Sequence, residues 1–265
     1  MTYFSEWLKE DFPNLYAQVS CILNKYGEQY GLLPHTKDYW CRDYMPIPLH
    51  DGTYLQYRYY PNYLNNNKDR VYITDTSTVC DSLGLKCIHT DIILDGGNVI
   101  RCGDKVLMID KIFNENPNYS QTKLVAELEQ LLNAEIVLLP WDKKEKYGHI
   151  DGVVRFLENG KVLLTNYHDY DSNMHERFRS ILKNHFQVEE LNYTHPNRKD
   201  NSWSYINFLQ TEKVIIIPQL GTHKDVEALD QLKYYFQSYE GRIEQVDARE
   251  LVKKGGALNC ISWNT

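Results

Sequence analysis

Long apolar runs are missing from this 265-residue chain, and so is any excess of positive charge. No stretch approaches the roughly 20 apolar residues that a membrane-crossing helix needs, and the start, Met1-Thr2-Tyr3-Phe4-Ser5-Glu6, has no basic cap leading into an apolar segment. A cytoplasmic protein without a membrane partner is expected. Acidic residues outnumber basic ones by 36 to 29; the resulting net charge of -7 argues against nucleic acid as a partner and favours the approach of a cationic small molecule. The six cysteines, at 21, 41, 80, 87, 102 and 260, contain no C-x-x-C pair. Neither a zinc site nor a disulfide framework is indicated, and no metal or cofactor is expected. A glycine-rich phosphate loop, a low-complexity tract and a linker are also missing.

What is present is the composition of an ordinary globular protein, 42% hydrophobic and 25% charged, and one domain over residues 1–265 is the expectation. Strand-like runs recur at 54–59, 92–94, 106–109, 136–139, 153–157, 162–165 and 214–218. Amphipathic helix patterns lie between them, from Phe4 to Tyr26, Gln121 to Asn133 behind a Ser120 cap, Met174 to Phe186, and Lys224 to Tyr239 behind Thr222. Asp51-Gly52 and Asn159-Gly160 are tight-hairpin signals. Hairpins alternating with helices about every 50 residues suggest a modular α/β array. Tyr63 to Asp69 reads as a polar surface loop.

Four short runs set a carboxylate, a histidine or a thiol beside turn-forming residues. In Trp40-Cys41-Arg42-Asp43, the structural alternative to a site is an aromatic anchor and an Asp43–Arg42 pair. Leu94-Asp95-Gly96-Gly97 puts an acid at a strand end where the backbone must approach something closely, although Asp95 also suits a plain turn. Gly148-His149-Ile150-Asp151-Gly152 spaces His149 and Asp151 onto one face if extended, as a site or as an internal hydrogen bond. The last run is Gly255-Gly256-Ala257-Leu258-Asn259-Cys260-Ile261-Ser262-Trp263. Here Val246 to Lys254 reads as a short helix stopped at Gly255, followed by a strand with Cys260 on one face and Asn259 on the other. A buried structural cysteine is the competing reading.

Together with Ser204-Tyr205-Ile206-Asn207-Phe208, these ordered motifs resemble those of the agmatine deiminases and bacterial peptidylarginine deiminases, guanidino-group-modifying enzymes of the pentein superfamily. The resemblance spans nearly the whole chain and implies a fivefold pseudo-symmetric α/β propeller built of ββαβ-type modules. It also implies Cys260 as nucleophile, His149 as general acid and base, and Asp43 and Asp151 as guanidinium-binding carboxylates. Asp95 stands where agmatine deiminases typically carry Glu, and Asn259 where they often carry His. Trp40 is expected to stack on the guanidinium or to wall off its pocket, and Tyr205 or Asn207 to line the site near the thiol.

The chemistry is coherent on its own terms. A guanidinium is a planar cation rich in donors, and paired carboxylates hold it bidentately for attack by a thiolate. Cysteine-dependent hydrolysis of a guanidine such as agmatine, with release of ammonia, is the leading expectation. Alternatives are deimination of peptidyl, free or methylated arginine, amidino transfer to an amine, and a non-catalytic binding module on the same propeller. A peptide's terminal carboxylate would call for a basic pair downstream of the first motif, and Tyr57-Arg58-Tyr59-Tyr60-Pro61 offers Arg58 alone. Homo-oligomerisation is compatible with the sequence.

Overall fold

The computed structural model describes residues 1–194 and 201–265. Five three-stranded sheets repeat one plan, in which a central strand pairs antiparallel on one side and, after a helical connection, parallel on the other. In the first, β1 (Thr2–Ser5) runs parallel to β2 (Tyr30–Leu33). The second holds β3 (Ile47–Pro48), β4 (Tyr54–Arg58) and β5 (Cys87–Ile93), and the third β6 (Ile100–Cys102), β7 (Lys105–Ile109) and β8 (Glu135–Leu139). The fourth holds β9 (Val154–Leu157), β10 (Lys161–Leu164) and β11 (Gln187–Glu190), and the fifth β12 (Leu209–Gln210), β13 (Ile215–Gln219) and β14 (Ile243–Asp247). The ring is closed by β15 (Trp263–Asn264), which pairs antiparallel with β1. The fivefold α/β propeller is therefore present, and its first blade is assembled from both ends of the chain.

The central strands explain why blades pack in a ring. In β7, Val106 and Met108 enter one apolar cluster while Leu107 and Ile109 enter the next. In β13, Ile216 faces the cluster that includes Phe4, and Ile215 and Ile217 the cluster that includes Leu163. A strand with a two-residue period that is apolar on both faces must be sandwiched, here between neighbouring blades. Both hairpin signals hold: Asp51-Gly52 joins β3 to β4, and Asn159 and Gly160, both at positive φ, join β9 to β10.

Several boundaries differ from the expectation. The segment from Phe4 to Tyr26 is not one helix. Thr2–Ser5 is strand, and helices Glu6–Asp11 and Pro13–Lys25 are broken at Phe12, because Pro13 has no N–H and is accepted only in a helix's first turn. The helix at Gln121–Leu132 is capped by Ser120 as expected, whereas those at Ser172–Leu182 and Lys224–Tyr235 end about a turn early. Val246 and Asp247 belong to β14, leaving a helix of only Arg249–Val252 before the turn at Gly255, whose φ is +98°. Residues 258–261 form a turn and not a strand, so the expected alternation of Cys260 and Asn259 across two strand faces does not occur.

Candidate active site

Each connection between blades delivers at least one chemical group to the same end of the ring. Asp43 rides on the one-turn helix Cys41–Tyr44 between β2 and β3, and Asp95 follows β5. His149 and Asp151 flank the start of the turn Ile150–Gly152 before β9, Asn207 precedes β12, and Cys260 precedes β15. Residues more than two hundred positions apart thus meet because the plan repeats five times.

The thiol is buried. Its Sγ lies 3.2 Å from Asn207 Oδ1 and 3.6 Å from Asp151 Oδ2. Burial pushes the Cys260 thiol well above its ordinary range, and the charges of Asp151 and Asp43 push the same way. Asp43 accepts from the Gly97 N–H at 3.1 Å, and the Tyr57 hydroxyl bridges the carbonyl oxygens of Asp43 and Met45. Only glycine fits at 97, since an added Cβ would lie 2.6 Å from Asp43 Oδ1 and 2.7 Å from His149 Nδ1. Burial raises the Asp43 carboxyl to about 7, against the pull of His149 and with the repulsion of Asp95 and Asp151.

His149 stands between two acids, Nε2 at 3.0 Å from Asp95 Oδ2 and Nδ1 at 3.5 Å from Asp43 Oδ1. Burial disfavours its cation, yet the two carboxylates outweigh burial and raise it to about 9. Asp95 is held on its far side by Lys111, whose Nζ donates to Asp95 Oδ2 at 2.6 Å and to the Tyr147 carbonyl at 2.6 Å, and lies 3.1 Å from Glu115 Oε1. Burial would raise the Asp95 carboxyl, but Lys111 and His149 bring it below its ordinary value.

Two cavities meet at Cys260 and His149. The smaller, about 300 Å³, is walled by Trp40, Tyr39, Tyr59, Tyr63 and Tyr147, with Asp43 at the reacting groups and Asp38 also in its wall. The larger, about 750 Å³, runs past Asp151 and Asn207 to Trp203. Trp40 is set edge-on to Tyr39 at 4.6 Å and lies so close to Gly256 that no side chain fits there.

The structure thus gathers Trp40, Asp43, Asp95, His149, Asp151, Asn207 and Cys260. It separates others. Tyr205 turns away, its hydroxyl donating to Asp225 Oδ1 at 2.8 Å, because its ring fills the cluster around Phe208. Asn259 does not face away: its Nδ2 donates to Asp151 Oδ2 at 2.7 Å, as the turn replaces the strand alternation. Tyr63, read as the start of a surface loop, lines the smaller cavity. Arg58 lines a different cavity, with its guanidinium over Tyr60. Sequence reasoning missed Asp38 and Lys111; the available signals were an acid two residues before Trp40 and a lysine two residues after the apolar run of β7.

A family model described as Porphyromonas-type peptidyl-arginine deiminase matches residues 19–265. The chain belongs to that family. A curated relative from Legionella pneumophila (strain Paris), named provisionally as an agmatine deiminase, is 30% identical over 198 residues, 66% of this chain and 56% of the relative. Another from Lactococcus lactis subsp. lactis (strain IL1403), under the same provisional name, is 27% identical and matched over 69% of this chain and 60% of its own length. The match therefore spans less than two thirds of the length of these relatives. A solved agmatine deiminase from C. jejuni with substrate bound superposes with a TM-score of 0.79 at 18% identity, over 99% of this chain and 92% of that one, which agrees with the propeller described above. Among the described residues, no helix is long and apolar enough to cross a membrane.

Proposed function

We propose that this chain is a cytoplasmic, cysteine-dependent hydrolase that deiminates agmatine, with residues 1–265 acting as one catalytic domain. The observation that carries it is the smaller cavity, with carboxylate, imidazole and thiol among its lining residues and an aromatic wall that includes a second carboxylate, Asp38. Asp38 accepts from the Trp40 N–H at 2.9 Å, and among the described residues no cationic side chain lies within ion-pair distance of it. Burial raises its carboxyl to about 7. A half-buried acid among aromatic rings suits an alkylammonium. Three acids, Asp11, Asp38 and Asp43, against one lysine, Lys146, line that cavity, a balance that suits a cationic tail better than the carboxylate of free or peptidyl arginine.

In this reading Asp43 and Asp151 seat the guanidinium beside the thiol and Trp40 walls it in. Docking of the cation cancels the charges that hold the thiol protonated, so Cys260 gives up its proton as substrate arrives. The thiolate forms a bond to the guanidinium carbon, and the tetrahedral adduct expels one nitrogen, which leaves as ammonia after taking the proton of His149. The thiouronium that remains is attacked by water, whose proton returns to the neutral imidazole. Collapse then expels the thiolate and frees the ureido product. Asp95, on Nε2, holds the ring so that Nδ1 serves the reaction.

Ammonia release and product mass from agmatine, arginine, methylated arginine and a peptide ending in arginine test the reading. Agmatine should exchange one imino nitrogen for oxygen; silence across the panel from folded protein would sink it. Asp38→Asn keeps the acceptor for the Trp40 N–H and removes the charge. A charge-assisted bond is worth about 1.5–3 kcal/mol, so the KM for agmatine should rise about 10- to 100-fold with kcat little changed and with no effect on a simple alkylguanidine. Equal losses on both substrates would take the tail amine away from Asp38.

The pH dependence of kcat/KM has two limbs with assigned signs. Guanidinium binding fails as pH falls through about 7, where Asp43 takes up a proton. Ammonia departure fails as pH rises through about 9, where His149 loses its own. A profile flat through both values would remove these two groups from their roles.

A further inference from the structure

A third cavity, of about 630 Å³, has Arg42, Arg155 and Asn259, the residue before the nucleophile, in its lining. The two arginines grip the residue before the nucleophile. Arg42 Nε donates to the Asn259 carbonyl at 3.3 Å, and the Arg42 N–H donates to the Cys260 carbonyl at 3.1 Å. Arg155 takes the side chain, with Nη1 donating to Asn259 Oδ1 at 3.1 Å. Its Nη2 donates to the Phe208 carbonyl at 2.8 Å, and its guanidinium lies 4.3 Å from the centre of the Phe208 ring.

An asparagine amide has nearly the same shape in its two orientations, and only its neighbours decide which end faces which way. Here the choice has consequences. With Oδ1 toward Arg155, Nδ2 points at Asp151 Oδ2, the same oxygen that lies 3.6 Å from the thiol. Reversed, the amide would set oxygen against a carboxylate and N–H against a guanidinium. The hydrogen bonds therefore form a one-way chain from Arg155 through Asn259 to Asp151.

We propose that Arg155 is a positioning residue that, through Asn259, fixes the Asp151 carboxylate relative to the thiol. Resting on the reading of Cys260 as a nucleophile for guanidines, the proposal adds that the residue standing where relatives often carry His here supplies a donor that does not titrate. It also puts a positive charge behind the thiol, one hydrogen-bonded residue away. Removing that charge should make the thiolate harder to form, and removing the fork should misplace Asp151.

The test compares Arg155→Met, which retains an apolar stem over Phe208, with Arg155→Lys, which keeps charge but loses the fork. Two readouts are taken: the pH midpoint of Cys260 alkylation by iodoacetamide, and kcat and KM for agmatine. Arg155→Met should move the alkylation midpoint to higher pH and lower kcat/KM at least tenfold. Arg155→Lys should restore the midpoint but not the full kcat/KM. A folded Arg155→Met with a native midpoint and kcat/KM within twofold of the parent overturns the proposal. If Arg155→Met does not fold, Asn259→Ser removes the bridge while leaving Arg155 on Phe208; a native kcat/KM in that variant overturns the proposal equally, and a tenfold loss supports it. Alkylation needs no substrate, so a chain inactive on every guanidine refutes the proposed activity without deciding the relay, which the midpoint still decides.

Discussion

Cys260→Ala will abolish ammonia release from agmatine while leaving agmatine binding in place. The thiol is the only group proposed to bond to the substrate's carbon, and the groups proposed to hold the guanidinium, Asp43 and Asp151, are tied down independently of it. Asp43 is bound by Gly97 and Asp151 by Asn259. Loss of a covalent nucleophile costs about 10^4- to 10^6-fold in kcat, because what remains is binding and polarisation of the carbon. In the free protein the thiol is held protonated, so removing Sγ takes away little of what draws in the cation, and the Kd for agmatine should stay within a few-fold. Calorimetric titration of agmatine into the variant separates the two quantities. A variant that still releases ammonia at a tenth of the parent rate would take the nucleophile's role from Cys260. One that neither binds nor turns over would say that the thiol is part of the fold of the site.

The ring was legible in the sequence because its signals are local. Asn159-Gly160 can hardly be anything but a tight turn between two apolar runs, and Val106 to Ile109, apolar at every position, must be covered on both faces. Five motifs in order then mark the blade connections. Less legible were features set by distant partners. The alternation assigned around Cys260 presumed a strand, but residues 258–261 turn because Arg42 and Asn207 capture their backbone from other blades. The direction of the Asn259 amide is decided by Arg155, about a hundred residues earlier, and no spacing rule reaches that far. Tyr63 looked like loop because its neighbours are polar, and Tyr205 looked like site because its neighbour Asn207 is. In both cases the side chain's destination, and not its sequence context, settles the matter.

Lys111→Met should be the most damaging single change outside the reacting groups. A lysine after an apolar run ordinarily points to water, yet this one is fully buried and so is the carboxylate it meets. Its ammonium donates to Asp95 Oδ2 and to the Tyr147 carbonyl and lies at ion-pair distance, 3.1 Å, from Glu115 Oε1, so it ties the acid behind His149 to the segment that carries His149. Burial disfavours the lysine cation, but Asp95 and Glu115 hold it charged and above its ordinary value. Removing one member of such a pair strands a buried charge, which costs about 3–5 kcal/mol. Asp95 would then take up a proton at a pH where it is now ionised, and His149 would lose the partner on Nε2 that helps keep it protonated. The basic limb of the pH profile should accordingly move below 9 while the midpoint of chemical unfolding falls. Adding Asp95→Asn separates the two effects: the double variant no longer strands the Asp95 charge, leaving only Glu115 without its cation, and should recover part of the lost stability, yet without a carboxylate on Nε2 it should not recover activity. If the double variant recovers both, the Lys111–Asp95 pair serves the fold alone, and His149 takes its proton affinity from Asp43.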